Sequence, residues 1–426
     1  MDIEVICTGD EVLTGKIVNS NFSHIAQKLE DVGLAVRRGA TVGDDRAELL
    51  RAFRDAGSRA DVVIVNGGLG PTVDDLSQEV AAQAAGVELA PRPEWVERME
   101  RFFRSRGRTM PDNNRKQALL PVGAELLDNP VGTACGFAVT IGKARFYFTP
   151  GVPRELFRML EHEIIPRLLQ QAGNPGVIVL KRFHSFGLGE SHVDQMLAGV
   201  EALAPSGGVK LGFRAHYPQL ETKLTLRAAT LEQARDNLAP VEAEVRRRIG
   251  NFVLAEDDQT HEGVIQALLE ERRATLAVVE NYTGGQIAAR LSALPRSEAF
   301  FLRGTVARGE QNLLAALGLE SQGQVWPELS QLSEGLAEAA RKQAGATHGL
   351  AVLCAVDEAT PQDPGLSGIV AVGIAASGGA VNRGTKLAGG RDWIRQGAME
   401  LGLDCLRRYL KDLPLHERTD FERKPG

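Results

Sequence analysis

The stretch from Val62 to Asp75 constrains the fold more than any other part of the chain. It begins with a β-branched apolar run, Val62–Val65, continues through a turn with three glycines and a proline, and ends in two adjacent aspartates. This order predicts a buried strand, a tight turn and the start of a helix. At the carboxyl end of a strand in an open parallel sheet, glycine amides and a helix N-terminus attract anions, so phosphate is the expected ligand.

The two aspartates add a second constraint. Asp74 and Asp75 would repel a naked phosphate, which indicates a divalent cation between carboxylate and phosphate oxygens. The alternative interpretation is a tight turn followed by a well-capped helix, with no ligand.

Strands and helices alternate through the first 155 residues. Apolar segments at Ile3–Cys7, 34–42, 62–66 and 144–148 each lead into polar residues, and helical spacing follows. Such alternation predicts a parallel sheet that is covered by helices on both faces. Since the carboxyl ends of parallel strands share one edge, we expect the acidic side chains there to meet. They are Asp10, Asp44, Asp74 and Asp75.

Length and composition narrow the class of protein. A chain of 426 residues is expected to form two or three domains, and its 43% hydrophobic and 24% charged residues are ordinary for a globular protein. No apolar run approaches the ~20 residues of a membrane span, and the acidic N-terminus is unlike a signal peptide, so we expect a cytoplasmic protein without a membrane partner. The net charge of -6 argues against a broad nucleic-acid surface. Four scattered cysteines show no zinc-site spacing.

Several ordered motifs in the first 165 residues resemble the CinA family. They are Thr8–Gly15, Asn66–Thr72 with Asp75, Asn129–Ala134 and Pro150–Glu155. The resemblance implies an α/β fold with three parts: a three-layer parallel-sheet domain similar to MoaB and MogA at 1–170, a small α+β KH-like module at 171–255, and an α/β CinA C-terminal domain at 256–415. It also suggests a homodimer.

The resemblance implies a metal-dependent nucleotide pyrophosphatase that acts on ADP-ribose or related nucleotide diphosphates. Asp44 and Asp75 match acidic positions of the related molybdopterin-binding domains and are the implied catalytic residues. With Asp10, which matches the family's first acidic loop, they are also the implied ligands of a divalent metal (Co, Mn or Mg). The implied phosphate and nucleotide contacts are Gly67, Gly68, Gly70, Thr72 and Lys116.

Two structural alternatives stay open for these residues. The three aspartates can serve only as caps of turns and helices. Lys116 belongs to a polar segment, Asn113–Gln117, which also fits a solvated surface helix.

The KH-like module has no basic GXXG loop of the kind that clamps nucleic acid. We therefore expect it to be a spacer or a dimer contact without an RNA role.

The C-terminal domain resembles a nicotinamide mononucleotide deamidase that has lost its catalytic residues. The family's Glu-Ser-Cys-Thr-Gly-Gly motif is here Glu280–Gly285, and the serine nucleophile is replaced by Asn281. An amide cannot replace the hydroxyl in acyl transfer. By the same register, the family's tyrosine and lysine fall on Arg308 and Leu313, and its glycine-rich loop falls on Asp357–Thr360. Deamidase activity is predicted to be absent, although an anion site at Arg391 and Arg395 stays open.

Three alternative functions are a binding protein, a deamidase and a DNA-binding protein. A binding protein would hold a nucleotide or pterin at the acidic edge without turnover, and the C-terminal domain would sense it. In the second alternative, the C-terminal domain still catalyses deamidation but uses residues other than those of the family motif. Direct contact with DNA, which the family name suggests, has no support in the charge pattern.

Overall fold

The chain folds into two units in which helices cover sheets. The computed structural model describes residues 1–173, 177–319, 328–356 and 366–422. The first unit comprises residues 1–178 and 227–231, and the second comprises residues 179–226 and 232–426. In the described part of the chain, no helix combines the length and the apolar character that crossing a membrane requires.

The first unit contains one large sheet and a short hairpin-like pair of strands. Its strands are β1 (Ile3–Thr8), β2 (Val36–Val42), β3 (Val62–Asn66), β4 (Leu89–Pro91), β5 (Leu119–Pro121), β6 (Glu125–Leu127), β7 (Gly136–Ile141) and β8 (Ala144–Thr149). Its helices are α1 (Asp10–Leu13), α2 (Ser20–Asp31), α3 (Arg46–Arg59), α4 (Ser77–Ala85), α5 (Pro93–Arg104), α6 (Pro153–Met159) and α7 (Ile165–Gln171). A 3₁₀ helix spans Asp112–Ala118.

The large sheet has the strand order β2-β1-β3-β8-β7-β6. The first four of these strands run parallel, as the sequence predicts, whereas β7 is antiparallel to β8 and β6 is antiparallel to β7. The parallel prediction therefore holds for the strands that carry the acidic loops, and an antiparallel extension follows them.

Alternate residues of the central strand face two different cores, which gives the three layers that were predicted. Val63 and Val65 pack with residues of α3, α4 and α5 on one face. Val62 and Ile64 pack with residues of α2, α6 and α7 on the other. A strand buried on both faces explains why the run is apolar at every position.

Side chains cap two of the helices that follow the strands. The side chain of Asn19 accepts a hydrogen bond from the N–H of Phe22 at the start of α2, and Asp45 does the same for the N–H of Glu48 in α3. α4, however, begins at Ser77, and Leu76 at its cap position gives no side-chain hydrogen bond. The expectation that Asp74 and Asp75 open this helix is corrected, because both lie in the turn before it.

The second unit contains a four-stranded sheet of order β10-β11-β9-β12 and a five-stranded sheet of order β14-β13-β15-β16-β17. The elements of the first sheet's region are β9 (Val177–Phe186), α8 (Glu190–Met196), β10 (Lys210–His216), β11 (Gln219–Ala228), α9 (Leu231–Ile249) and β12 (Val253–Glu256). The remaining elements are α10 (His261–Glu271), β13 (Leu276–Glu280), α11 (Gln286–Ser292), β14 (Phe301–Val306), α12 (Glu310–Ala316), α13 (Leu329–Ala344), β15 (His348–Val356), β16 (Ser367–Ala376), β17 (Gly379–Ala388) and α14 (Arg391–Leu410).

The two sheets of the second unit are joined by polar and aromatic contacts at the turn between β10 and β11. The ring of Tyr217 stacks on Trp393 with centroids 3.8 Å apart, and its hydroxyl donates to the Trp393 carbonyl at 3.0 Å. Gln219 donates to the buried carboxylate of Glu400 at 2.9 Å. The KH-like region is thus attached to α14 by side chains of one short turn.

Candidate functional site

A cleft of about 460 Å³ opens at the carboxyl ends of β1, β3 and β8 in the first unit. Three loops form most of its wall: the one after β1, the glycine-rich loop after β3, and the one after β8 at Pro150–Glu155. This is the edge of the sheet where the sequence predicts a ligand. Of the predicted site residues, it is lined by Asp44, Gly67, Gly68, Gly70, Thr72 and Asp75.

Two carbonyls of the glycine-rich loop accept hydrogen bonds from side chains outside the loop. Gly67 and Gly68 have φ values of +117° and +68°, which an L side chain rarely adopts. The carbonyl of Gly67 accepts from the Ser77 hydroxyl at 2.9 Å, and that of Leu69 accepts from Gln117 at 3.0 Å. Within the described residues, the N–H groups of Gly68, Leu69 and Gly70 donate to no protein acceptor. Consecutive free N–H groups of this kind form a cradle for an anion.

The 3₁₀ helix Asp112–Ala118 supports this loop from behind. Lys116 donates from Nζ to the carbonyl of Thr72 at 3.0 Å and lies 3.7 Å from Glu79, while Gln117 lines the cleft. Asn113 donates to the carbonyl of Pro71 at 3.5 Å. The structure thus places Lys116 as a support of the loop, and its predicted contact with phosphate stays a prediction.

Asp75 closes the turn that follows the glycines. Its Oδ2 accepts hydrogen bonds from the N–H of Thr72 at 2.8 Å and from the Thr72 hydroxyl. A Cβ atom at Gly70 would lie 2.4 Å from the same oxygen. Gly70 is therefore required by the close approach of Asp75, and one carboxylate oxygen of Asp75 is already occupied.

Asp10 and Asp44 contact each other, as expected from their strand ends. Each carboxylate accepts the backbone N–H of the other residue at 3.2 Å. Burial, together with the negative charges of Asp10, Glu11 and Asp74, raises the pKa of Asp44 above its ordinary value, although the N–H of Asp10 acts in the opposite direction. The acidic neighbours of Asp44 are thus Asp10, Glu11 and Asp74, and Glu11 and Asp74 also line the cleft.

The acidic side chains at the cleft are the candidate ligands of a divalent cation. In residues 1–173, 177–319, 328–356 and 366–422, no three His, Cys, Asp or Glu side chains converge on one metal position. Over the same residues, no lysine or arginine forms an ion pair with Asp10, Asp44 or Asp74. Carboxylate oxygens are the donors that Mg²⁺ and Mn²⁺ prefer, so the chemical type of these side chains fits such an ion. Of the three predicted ligands, Asp44 and Asp75 line the cleft and Asp10 contacts Asp44 from outside its lining, so the ligand set stays a prediction.

Two groups in the cleft were not among the predicted site residues. Glu155 accepts a hydrogen bond from Asn129 at 2.6 Å, and burial raises its pKa despite that bond and the positive charge of Arg154. The hydroxyl of Thr8 is buried at the base of the glycine-rich loop and has no hydrogen-bond partner in the described part of the chain. Both residues belong to motifs identified in the sequence, Thr8–Gly15 and Pro150–Glu155. Each motif lies at the carboxyl end of a strand, and that position is the signal from which the two residues could have been predicted.

The positions at which the resemblance places deamidase residues have structural contacts in the second unit. The Asn281 amide donates to the carbonyl of Cys354 at 3.1 Å and accepts from its N–H at 2.8 Å. The guanidinium carbon of Arg308 lies 4.9 Å from the centroid of the Tyr282 ring, and Leu313 is 1% exposed in the core. The predicted replacement of the family's glycine-rich loop, Asp357–Thr360, lies outside the described residues.

The segment Glu280–Gly285, which was compared with the deamidase motif, forms a turn before α11. Glu280 is fully buried, and its carboxylate accepts from the Thr283 hydroxyl at 2.6 Å and from the N–H groups of Ile287 and Ala288 at 3.1 and 2.8 Å. Gly284 and Gly285 have φ values of +69° and +87°. The Glu280 carboxylate therefore occupies the start of α11, where a ligand anion would otherwise bind.

Comparison with known proteins covers nearly the whole chain. Residues 4–170 match the family profile described as a probable molybdopterin binding domain, residues 181–255 match the damage-inducible protein CinA KH domain, and residues 258–410 match the CinA C-terminal domain. A CinA-like protein of Frankia casuarinae is 39% identical over 98% of both chains, and one of Shewanella amazonensis is 36% identical over 96% of both.

Among solved structures, the protein CinA with unknown function from Thermoplasma acidophilum is 32% identical. The match covers 40% of this chain and 96% of that one, with a TM-score of 0.35.

Proposed function

The chain belongs to the family of CinA-like proteins, and from this premise we propose that its first unit hydrolyses the diphosphate linkage of ADP-ribose or a related nucleotide diphosphate. The second unit carries a domain related to nicotinamide mononucleotide deamidases that lacks their catalytic residues. A small nucleotide is then the partner of this protein, which acts in the cytoplasm as a homodimer, without nucleic acid.

One observation carries the pyrophosphatase proposal. Gly68, Leu69 and Gly70 line the cleft together with Asp44 and Asp74, and among the described residues the backbone N–H groups of these three have no acceptor. A diphosphate has several negative oxygens, which need donors on one side and a cation on the other. The buried hydroxyl of Thr8 is a further donor at the base of the same loop.

A divalent cation, Co²⁺, Mn²⁺ or Mg²⁺, belongs to this proposal. Asp10, Asp44 and Asp75 would hold it: Asp44 and Asp75 line the cleft, and Asp10 contacts Asp44. Asp74 lines the same cleft. When bound, such an ion neutralises phosphoryl charge and polarises the bond to be cleaved. Asp10 keeps Asp44 in place through the two N–H bonds, so the carboxylate is positioned before any ligand arrives.

Two other side chains at the cleft, those of Asp75 and Glu155, have separate roles in this proposal. Asp75 keeps the glycine turn closed through Thr72, which maintains the spacing of the N–H cradle. Glu155, whose pKa is raised by burial, lies in the same cleft and is a candidate to exchange a proton with water there.

The absence of deamidation follows from the second unit's chemistry. Asn281 offers no hydroxyl nucleophile, and both ends of its amide are bonded to the Cys354 backbone. Burial raises the pKa of the adjacent Cys354 thiol to about 12, so it is not a replacement nucleophile at neutral pH.

A metal-by-nucleotide screen on the full chain tests this function. ADP-ribose is incubated with Co²⁺, Mn²⁺ or Mg²⁺, and AMP and ribose 5-phosphate are measured beside ammonia release from nicotinamide mononucleotide. We expect AMP only with metal and with intact Asp44, and no ammonia. Metal-independent release, or full activity of Asp44→Asn, would contradict the proposal.

A second candidate is a protein that binds a nucleotide or pterin without turnover. Two observations favour it: the match of residues 4–170 to a probable molybdopterin binding domain, and the lack of a three-residue metal group among the described residues. Saturable binding of ADP-ribose without any product, for every metal tried, would support this sensor function over the hydrolase.

A further inference from the structure

Two asparagine side chains, those of Asn66 and Asn21, lie behind the loops that form the cleft. Asn66 is the last residue of β3 and is 4% exposed, and Asn21 lies in the first turn of α2. The Asn21 amide donates to Oδ1 of Asn66 at 2.9 Å. Neither residue belongs to the lining of the cleft, so both act on it through the backbone that they bind.

Both amides bind carbonyls of the loop Pro150–Glu155. Nδ2 of Asn66 donates to the carbonyl of Pro150 at 2.7 Å, and Nδ2 of Asn21 donates to the carbonyl of Gly151 at 2.7 Å. Nδ2 of Asn66 also donates to the Thr149 hydroxyl at 3.2 Å. Two successive carbonyls are therefore held on the side of the loop where these amides lie.

This arrangement directs two N–H groups the other way. In a trans peptide unit the C=O and the N–H point in opposite directions, and the two peptide units concerned are trans. The N–H groups of Gly151 and Val152 therefore point away from the asparagines, and both residues line the cleft. Over the part of the chain that the structure describes, neither N–H donates to a protein acceptor. Such N–H groups are donors that a phosphoryl oxygen can use.

The loop Pro150–Glu155 meets the glycine-rich loop at Gly67. A Cβ atom at Gly151 would lie 3.7 Å from the Cα of Gly67, and the N–H of Gly67 donates to the carbonyl of Thr149 at 2.9 Å. A Cβ atom at Gly67 would lie 2.4 Å from the hydroxyl oxygen of Thr8, which lines the cleft. The unpartnered Thr8 hydroxyl thus lies beside the junction of the two loops. A buried hydroxyl without a protein partner favours a polar ligand there.

The charges on the loop Pro150–Glu155 are compatible with an anion. Arg154 is exposed and forms no ion pair within the described ranges, and its positive charge reaches Glu155. Glu155, the carboxylate of this loop, accepts from Asn129 on its Oε2 at 2.6 Å. A cation beside the two N–H groups adds to their attraction for a phosphoryl group.

We propose that Asn66 and Asn21 are positioning residues that hold the loop Pro150–Glu155 as a second anion cradle, separate from the glycine-rich loop. The inference rests on the proposed function and adds to it how the diphosphate is divided. One phosphoryl group is bound by the glycine-rich loop, and the other by the N–H groups of Gly151 and Val152. The asparagines act through the loop and do not touch the ligand.

Two nucleotides that differ by one phosphoryl group test this inference without turnover. AMP and the α,β-methylene analogue of ADP, whose P–C–P bridge resists hydrolysis, are titrated with Mn²⁺ by calorimetry into the full chain. The proteins are the wild type, Asn21→Ala and Ser23→Ala, with folding checked by circular dichroism. Ser23 is the matched control, because it is an exposed residue of the same helix.

We expect the wild type to bind the analogue roughly tenfold more tightly than AMP, the effect of about one hydrogen bond to a charged group. Asn21→Ala should weaken the analogue about fivefold and leave AMP unchanged, because the Gly151 carbonyl loses its donor. Ser23→Ala should change neither. Equal affinity of the wild type for the two nucleotides overturns the inference, as does an Asn21→Ala protein that binds both more weakly by the same factor or neither more weakly.

Hydrogen exchange of the wild type gives a readout that needs no variant. The analogue should slow exchange in segments 66–72 and 149–155, whereas AMP should slow it only in the first. Protection of segment 66–72 alone by both nucleotides would contradict the second cradle. The expected binding pattern without hydrolysis of ADP-ribose would remove the proposed hydrolase and keep the cradle, whereas hydrolysis without that pattern would do the reverse.

Discussion

Asp10 and Asp44 exchange hydrogen bonds, each carboxylate accepting the backbone N–H of the other at 3.2 Å. The residues end up together because β1 and β2 are parallel neighbours, with Thr8 paired to Val42. A Cβ atom at Gly43 would lie 2.5 Å from Oδ1 of Asp10, so glycine is needed for this approach. The pair thus fixes the position of Asp44 at the cleft through backbone contacts that no metal is required to form.

Replacing these two acids should have unequal effects on ADP-ribose hydrolysis. Asp44→Asn removes the charge that would hold the cation, and we expect a loss of about 100-fold in kcat/KM. Asp10→Asn keeps an oxygen that can accept the N–H of Asp44, so a loss of about tenfold is expected. Steady-state kinetics at saturating metal measures both, and equal losses would contradict the supporting role of Asp10.

Asp45→Asn is the control for this series. Asp45 is adjacent to Asp44, but its side chain caps α3 by accepting the N–H of Glu48. Asparagine is an equally good cap, so neither activity nor stability should change measurably.

Lys116→Met should loosen the glycine-rich loop. The substitution removes the bond from Nζ to the Thr72 carbonyl, and one such hydrogen bond corresponds to about 1 kcal/mol, or roughly fivefold in nucleotide affinity. Hydrogen exchange of the loop amides in the ligand-free protein should become faster. Arg115→Met is the control, because Arg115 lies in the same segment but forms its ion pair with Glu100 of α5 and not with the glycine-rich loop. Unchanged exchange together with weaker binding would instead indicate a direct contact between Lys116 and phosphate.

Glu155→Gln should stabilise the protein at pH values above 4.5, the ordinary pKa of this carboxyl group. Burial raises the pKa of Glu155, so the folded state favours the protonated carboxyl group. The protonated group's contribution to stability is fully present below pH 4.5 and is lost as the pH rises through the pKa that Glu155 has in the folded state. Glutamine stays neutral and its Oε1 can still accept from Asn129. We expect equal melting temperatures at low pH and a higher one for the variant at pH 7. A variant that melts lower at pH 7 would refute this account.

Asn281→Ser should fail to create a deamidase. The new hydroxyl would stand where the family has its nucleophile, but Leu313 is buried and cannot move a proton. The change also removes the amide bridge to Cys354, which should lower the free energy of unfolding by about 1–2 kcal/mol. Ammonia release and chemical denaturation measure the two effects. The exposed Asn312→Ser, a surface control, should cost much less.

The fold of the first unit could be predicted because its signals are local. The apolar run at 62–65 is buried on both faces, and Asn19 and Asp45 cap the helices that follow β1 and β2. The antiparallel strand β7 was not predicted, although Gly142, with a φ of +62°, marks the tight turn between β7 and β8. A short hairpin inside a parallel pattern is easily missed when only the β-α alternation is followed.

The candidate site was predicted in outline and not in detail. Strand ends brought Asp10 and Asp44 together, since register follows from parallel pairing. The bonds from Lys116 and Gln117 to the glycine-rich loop join residues 44 and 48 positions apart. Nothing in local spacing specifies such pairings, because they depend on where the 3₁₀ helix packs against α4 and the loop.

The dependence of the glycine-rich loop on Asp112–Ala118 has a consequence for engineering. Grafting residues 66–77 alone onto a related scaffold would transfer the glycines and Ser77 without the side chains of Lys116 and Gln117, which bind the carbonyls of Thr72 and Leu69. A chimera that carries both segments should retain anion affinity. The portable module is thus two separate stretches of sequence, residues 66–77 and 112–118, with most of α4 and the whole of α5 between them along the chain.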